Sequence, residues 1–150
     1  MRIYMDTCCY LRLTDTYRNP RVILEKIAVA TIIGLSIKKN WTFAASKALD
    51  TEIEETQNAT NVTKELYRAI AKEHLPRTGY ADLLIKHYIS HNIRPMDATH
   101  LAIAQANAVD LFLTTDDILL ERGAIAQSAI RNSIRIANPL VWEKEIANDN

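Results

Sequence analysis

The sequence predicts a three-layer α/β/α sandwich built on a central, mostly parallel sheet. Three observations carry that expectation. Short apolar runs of strand length, Ile3–Met5, Trp41–Ala45, Val109–Thr115 and Ile134–Ala137, alternate with segments of helical periodicity, and parallel pairing requires helical crossovers of this kind. The pairs Asn19-Pro20 and Asn138-Pro139 each place a capping side chain before a ring already set at helical φ. Gly and Pro together number only seven, three and four, in 150 residues, so helix should dominate and disorder is excluded.

Taken in order, Ile3–Met5 is a first buried strand that ends at Asp6. Asn19-Pro20 opens a long helix, and Lys38-Lys39-Asn40 is its basic last turn and stop. Trp41–Ala45 is a second strand, after which Ser46 caps a helix to about Gln57. Asn61 caps a further helix that is expected to run to His74, before Pro76. Tyr80, Leu83, Leu84, His87, Tyr88 and His91 recur at helical spacing and predict one buried stripe. A helix over Asp97 to Asn107 follows, then the strand Val109–Thr115, a short helix from Asp116 to Arg122 stopped at Gly123, the strand Ile134–Ala137 and a terminal helix behind Asn138-Pro139.

One domain, residues 1–150, is the expected organisation, since a chain of this length buries roughly 70% of its unfolded surface. The longest apolar stretch, Ile27 to Ile37, is far shorter than the ~20 residues of a membrane span, and the N-terminus has no apolar segment of signal-peptide type. A cytoplasmic location without membrane contact is therefore expected. The two cysteines, Cys8 and Cys9, are adjacent and fit neither a disulfide framework nor a zinc or redox motif. Eighteen acidic side chains balance eighteen basic ones, so a nucleic-acid partner would have to be held by a local patch or through metal ions.

The acids supply the functional signal. In open parallel sheets ligands bind beyond the carboxyl ends of the strands, and Asp6 and Asp116 both follow a strand directly. Asp97 follows the extended stretch Ile93–Met96 and opens a helix, which favours negative charge at the same rim. Within the helix after Ser46, Leu49, Ile53 and Thr56 define the inward face; Glu52 lies about 60° from its centre, nearer than Asp50, Glu54 or Glu55 at roughly 100–140°. Carboxylates converging at ~4–5 Å repel by about 3–4 kcal/mol per pair at an effective dielectric near 20. Such a cluster must protonate or bind cations, and oxygen ligands suit Mg²⁺ or Mn²⁺.

Stretches in this order, IYMDTCCYLR (3–12), SKALDTEI (46–53), GYADLLIKHYISHNIRPMDATHLAIAQ (79–105), VDLFLTTDD (109–117) and IANPLVW (136–142), resemble the PIN domain, a small metal-dependent nuclease fold that includes the VapC-like toxins of bacterial toxin–antitoxin pairs. The resemblance spans nearly the whole chain. It implies that Asp6, Glu52, Asp97 and Asp116 are the metal-binding and catalytic acids, with Asp117 as the alternate to Asp116 through the Thr-x-Asp pattern. It also implies hydrolysis of RNA phosphodiester bonds with one or two Mg²⁺ or Mn²⁺ ions, Asp97 or Glu52 orienting the water, and a cognate antitoxin as partner. Thr7 and Thr115 would contribute supporting hydroxyls, and Cys8 stands where the family commonly has a small polar residue.

His100, three residues after Asp97 on one helix face, reads either as a supporting proton carrier or as a packed histidine. His87 and His91 have the spacing of a two-histidine zinc site but lack the HExxH context, which favours packing. Arg12, Lys47 and Arg94, with Arg18 and Arg21, lie near the acidic segments and are candidate RNA-backbone contacts. Apolar residues on the helices between Val62 and Tyr88 read either as core or as a homodimer surface. An aspartyl-phosphatase would need a second Asp where Cys8 stands, and three glycines make no phosphate-binding loop. The competing reading is a catalytically silent PIN-fold module that binds RNA or protein.

Overall fold

The computed structural model describes residues 1–149 and holds a five-stranded, all-parallel sheet flanked by helices. The strands are β1 (Arg2–Met5), β2 (Thr42–Ala45), β3 (Ala71–His74), β4 (Leu111–Leu113) and β5 (Arg135–Ala137), in the order β3-β2-β1-β4-β5. Eight helices connect them: α1 (Thr7–Thr14) and α2 (Pro20–Lys39), α3 (Lys47–Glu55) and α4 (Asn61–Ile70), α5 (Gly79–Ser90) and α6 (Pro95–Ala106), α7 (Asp117–Ser128), and the terminal α8 (Pro139–Asn148). α1, α2, α4 and α8 pack with one another, while α5 packs against α6 and α7. The expected three-layer α/β/α architecture is therefore present.

The central strand β1 pairs with both β2 and β4, and its Ile3, Tyr4 and Met5 are fully buried together with Phe112 and Leu113 of β4. A strand covered on both faces reads as a continuous apolar run, which explains why β1, β2 and β4 are legible without alternation. The Asn19 side chain accepts from the Arg21 amide and Asn40 closes α2 in the left-handed region at φ 54°, so this helix has the ends its sequence announces.

Four expectations need correction. The helix expected from Asn61 to His74 ends at Ile70, because Ala71–His74 joins β2 as an edge strand; the Leu75 amide donates to the Ala45 carbonyl at 2.8 Å, and Arg2 meets Glu73 at 2.5 Å. Its cap is Thr60, which forms a reciprocal capping box with Thr63, not Asn61. Gly123 does not stop α7, which continues to Ser128. A Cβ at that position would lie 3.0 Å from Ile136 Cδ1, so this glycine allows helix and strand to approach closely. The stripe predicted on α5 is also rotated: Ala81, Leu84 and Tyr88 are buried, whereas Tyr80 and Leu83 are exposed. Among the described residues, no helix is long and apolar enough to cross a membrane.

Candidate metal centre

Two strand-to-helix junctions, β1–α1 and β4–α7, and the helices α3 and α6 bring the acids together at the carboxyl edge of the sheet. Asp6 closes β1 and caps α1, its carboxylate accepting from the Thr7 amide at 2.8 Å. Asp116 follows β4 and caps α7 by accepting from the Ile118 and Leu119 amides at 3.0 and 3.2 Å. Glu52 stands on α3, one residue before the buried Ile53, and Asp97 lies in the first turn of α6. Helix N-termini favour the negative charge of Asp6, Asp97 and Asp116.

Asp6, Glu52 and His100 form the centre of the site: a carboxylate oxygen of each acid and a ring nitrogen of His100 lie within 4.8 Å of one another. Asp97 and Asp116 complete its rim, joined by Arg94, whose guanidinium is 3.3 Å from Asp97 and 3.2 Å from Asp116. A cavity of about 150 Å³ opens beside Arg94, Asp97 and Asp116. Asp117, the alternate to Asp116, is turned away and holds Arg21 through two contacts of 2.7 and 2.8 Å.

The environments of the acids differ. Burial pushes Asp6 upward, and the nearby Glu52 adds to this, while His100 and hydrogen bonds from Thr114 and the Thr7 amide oppose it. Burial first, then the charge of Asp6, raises Asp97 from 3.8 to about 6, although Arg94 pulls the other way. For Glu52, burial also works upward, but the His100 hydrogen bond, Thr7 and Arg94 outweigh it and leave the carboxyl below its usual range. His100 is raised: burial favours the neutral ring, yet Glu52 and the charges of Asp6 and Asp97 prevail.

A relay fixes the imidazole. The Tyr4 hydroxyl lies 2.7 Å from Ser46 Oγ and 2.6 Å from His100 Nδ1, and His100 Nε2 is 3.3 Å from Glu52 Oε1. Because an ionised carboxylate only accepts, the proton belongs on Nε2; in the neutral ring Nδ1 then accepts from Tyr4. Burial holds the Tyr4 phenol far above its ordinary value, so it stays protonated and able to donate. His100, fully buried, therefore positions Glu52 rather than offering a free lone pair.

The group is able to hold a metal ion. Asp6 is a buried carboxylate whose direct partners are uncharged: the Thr7 amide, the Thr114 hydroxyl at 3.1 Å and the Cys8 thiol at 3.7 Å. The Thr7 hydroxyl is buried and makes no hydrogen bond of normal geometry, although it lies close enough to Glu52 to favour that carboxylate's charge. An orphaned hydroxyl among underneutralised carboxylates fits a hard cation.

No protein-family model matches the chain, and no curated protein matches it.

The remaining candidates separate by their partners. Thr114, not Thr115, places its hydroxyl on Asp6; Thr115 takes part through its backbone, its amide donating to Cys8 Sγ at 3.3 Å and its carbonyl accepting from Arg21 at 3.0 Å. Cys8 thus links β4 to Asp6 as a buried-edge spacer, while Cys9 is fully buried and both thiols are free. Arg12 and Arg21 are held by Glu25, which is fully buried and also accepts from Asn138 at 2.6 Å. Those two cations brace α1, α2 and α8. Lys47, Arg18 and Arg94 are exposed. His87 and His91 pack against each other at 4.5 Å between ring centres, and each contacts a backbone carbonyl.

Sequence reasoning missed the parts played by Tyr4, Ser46 and Thr114. One signal was present: Tyr4 and Asp6 are two residues apart in a strand, hence on one face, and a buried tyrosine hydroxyl needs a partner.

Proposed function

We propose that this chain is a metal-dependent endoribonuclease of PIN type, acting as the toxin of a toxin–antitoxin pair, with Mg²⁺ or Mn²⁺ as its cofactor. The observation that carries the proposal is the convergence of Asp6, Glu52, Asp97 and Asp116 at one sheet edge, where, among the described residues, Arg94 and His100 are the groups paired with them. Carboxylates at such spacing are electrostatically unstable without a cation, and RNA phosphates are the substrate class that a carboxylate-held divalent ion serves.

Asp6, Glu52 and Asp97 would hold the ion, with Asp116 at its outer side. Oxygen donors favour Mg²⁺ and Mn²⁺. When bound, the ion would supply positive charge for the scissile phosphate and lower the pKa of a water beside it. His100 keeps Glu52 in its ligating orientation. Asp97, in the first turn of α6 beside Arg94, would orient the attacking water. Arg94 spans Asp97 and Asp116 and is suited to move onto a phosphate oxygen once their charge is otherwise met.

One observation favours the second reading, a catalytically silent RNA- or protein-binding module: Arg94 already neutralises part of the rim. Incubation of the purified chain with a mixed RNA pool, in Mn²⁺, Mg²⁺ or EDTA, separates the two. Cleavage that requires the ion and disappears in Asp6→Asn supports the nuclease; RNA binding without cleavage under any of these conditions overturns it. Sequencing of RNA ends after induced expression then names the target.

A further inference from the structure

A second recess lies beside the acidic centre. It has a volume of about 320 Å³, within the range of small-ligand pockets of about 300–1,000 Å³, and is bounded by Lys47, Thr51, Leu75, Arg77, Met96 and Ile103. Lys47 follows β2 by two residues and Leu75 follows β3 directly, so the recess opens on the same carboxyl edge as Asp6 and Asp116, shifted along the sheet toward β3. Its two helical walls are those of the site itself. Thr51 precedes Glu52 on α3, and Met96 precedes Asp97 on α6, so each wall lies within one helical turn of a site acid.

The chemistry of the recess is two-sided. Leu75 and Ile103 are buried and form an apolar floor, and Met96 is 40% exposed at its mouth. A thioether is polarisable and favours contact with an aromatic ring. Lys47 has no ion-pair partner among the described residues, and Arg77 shares its charge with the exposed Asp82 at 2.7 Å. A recess with an apolar floor and an unpaired ammonium at its lip complements a ligand that is aromatic at one end and anionic at the other.

We infer that this recess holds one nucleotide of single-stranded RNA adjacent to the bond that is cut, its base against Met96 and Leu75 and its phosphate at Lys47. The inference rests on the RNA-cleavage reading and adds to it a source of sequence preference, since single-stranded RNA is recognised through splayed bases. An acidic peptide would use the lip alone and leave the floor empty.

The test uses the full chain in EDTA with ¹³C-methyl-methionine. The sequence has three methionines; Met5 is fully buried and Met1 lies at the N-terminus, which leaves Met96 as the reporter. Titration with the ribotrinucleotide UUU or AAA is expected to shift the Met96 methyl saturably. Lys47→Glu should weaken the response at least tenfold, and Thr51→Trp, which fills the recess from an exposed position, should abolish it. Both variants should keep the wild-type thermal shift with Mn²⁺, which reports the acidic centre separately. A stationary Met96 methyl overturns the inference, as does an equal response to inorganic phosphate or to a hexaglutamate peptide. Cleavage of RNA with a silent Met96 removes the subsite and spares the nuclease; a saturable Met96 response without cleavage in Mn²⁺ does the reverse.

Discussion

Tyr4 and His100, 96 positions apart in sequence, meet at 2.6 Å in the interior, and that contact determines what the imidazole offers to Glu52. With Nδ1 engaged by the phenol, the remaining nitrogen points its proton at the carboxylate. Partners of this kind typically contribute about 10–100-fold to metal affinity. His100→Ala should therefore weaken Mn²⁺ binding by about that factor, and Tyr4→Phe by less, because the ring remains packed. Isothermal titration with Mn²⁺ measures both; an unchanged affinity in His100→Ala would remove the positioning role.

Addition of a divalent ion should stabilise the fold by mass action. At a free concentration about 100 times the dissociation constant the gain is about 2.7 kcal/mol, or a rise in Tm of about 5–10 °C for a domain of this size. Asp6→Asn should erase the rise. A thermal melt with Mn²⁺, Mg²⁺ and EDTA reads the result, and equal melting in all three would exclude the centre.

Asp97 should destabilise the metal-free protein at neutral pH. Its carboxyl ionises near 3.8 when unfolded but at about 6 in the fold, chiefly because of burial and then the charge of Asp6. Between those values the native state holds more protons than the unfolded one, so stability declines as pH rises through the window, and the penalty is complete above about 6. Asp97→Asn in EDTA should melt about 2–4 °C higher than wild type at pH 8, with the gap closing toward pH 4. A variant that melts lower at pH 8 would contradict the assignment.

Arg94 should compete with cations for the rim. Arg94→Ala removes the guanidinium from Asp97 and Asp116 and is expected to tighten Mn²⁺ binding several-fold while weakening RNA binding, with a shallower dependence on salt. Fluorescence anisotropy with labelled RNA at two ionic strengths checks the second half. A loss of Mn²⁺ affinity would instead make Arg94 a support for the ligands.

Arg12 should matter for stability and not for RNA. Its side chain reaches Glu25 at 3.2 Å, and that carboxylate is fully buried. Removing one partner of a buried charge costs several kcal/mol; with Arg21 and Asn138 still in place, Arg12→Ala should cost about 2–3 kcal/mol in urea unfolding. Unchanged stability with reduced RNA affinity would return Arg12 to the binding surface.

The chain alone determines whatever depends on residues close together along it. Burial on both faces makes β1, β2 and β4 continuous apolar runs, and an acid placed directly after such a run falls at the carboxyl edge by connectivity; Asp6 and Asp116 are legible for that reason. Glu52 is legible from helical geometry, since Ile53 and Leu49 turn inward and carry it to the margin of the core. The caps of α2 and α8 are local hydrogen bonds and read equally well.

Only the tertiary structure decided the rest. Ala71–His74 has the composition of a helix and becomes a strand because the exposed edge of β2 supplies its hydrogen bonds, an interaction absent from local propensity. Gly123 looks like a helix stop and is instead the point where α7 passes Ile136. The Ser46–Tyr4–His100–Glu52 relay, and the seat of Arg94 between Asp97 and Asp116, join different elements of the fold. Local torsions and periodicity are written in neighbouring residues, whereas the partner of a buried hydroxyl or a surplus charge exists only after the sheet has assembled.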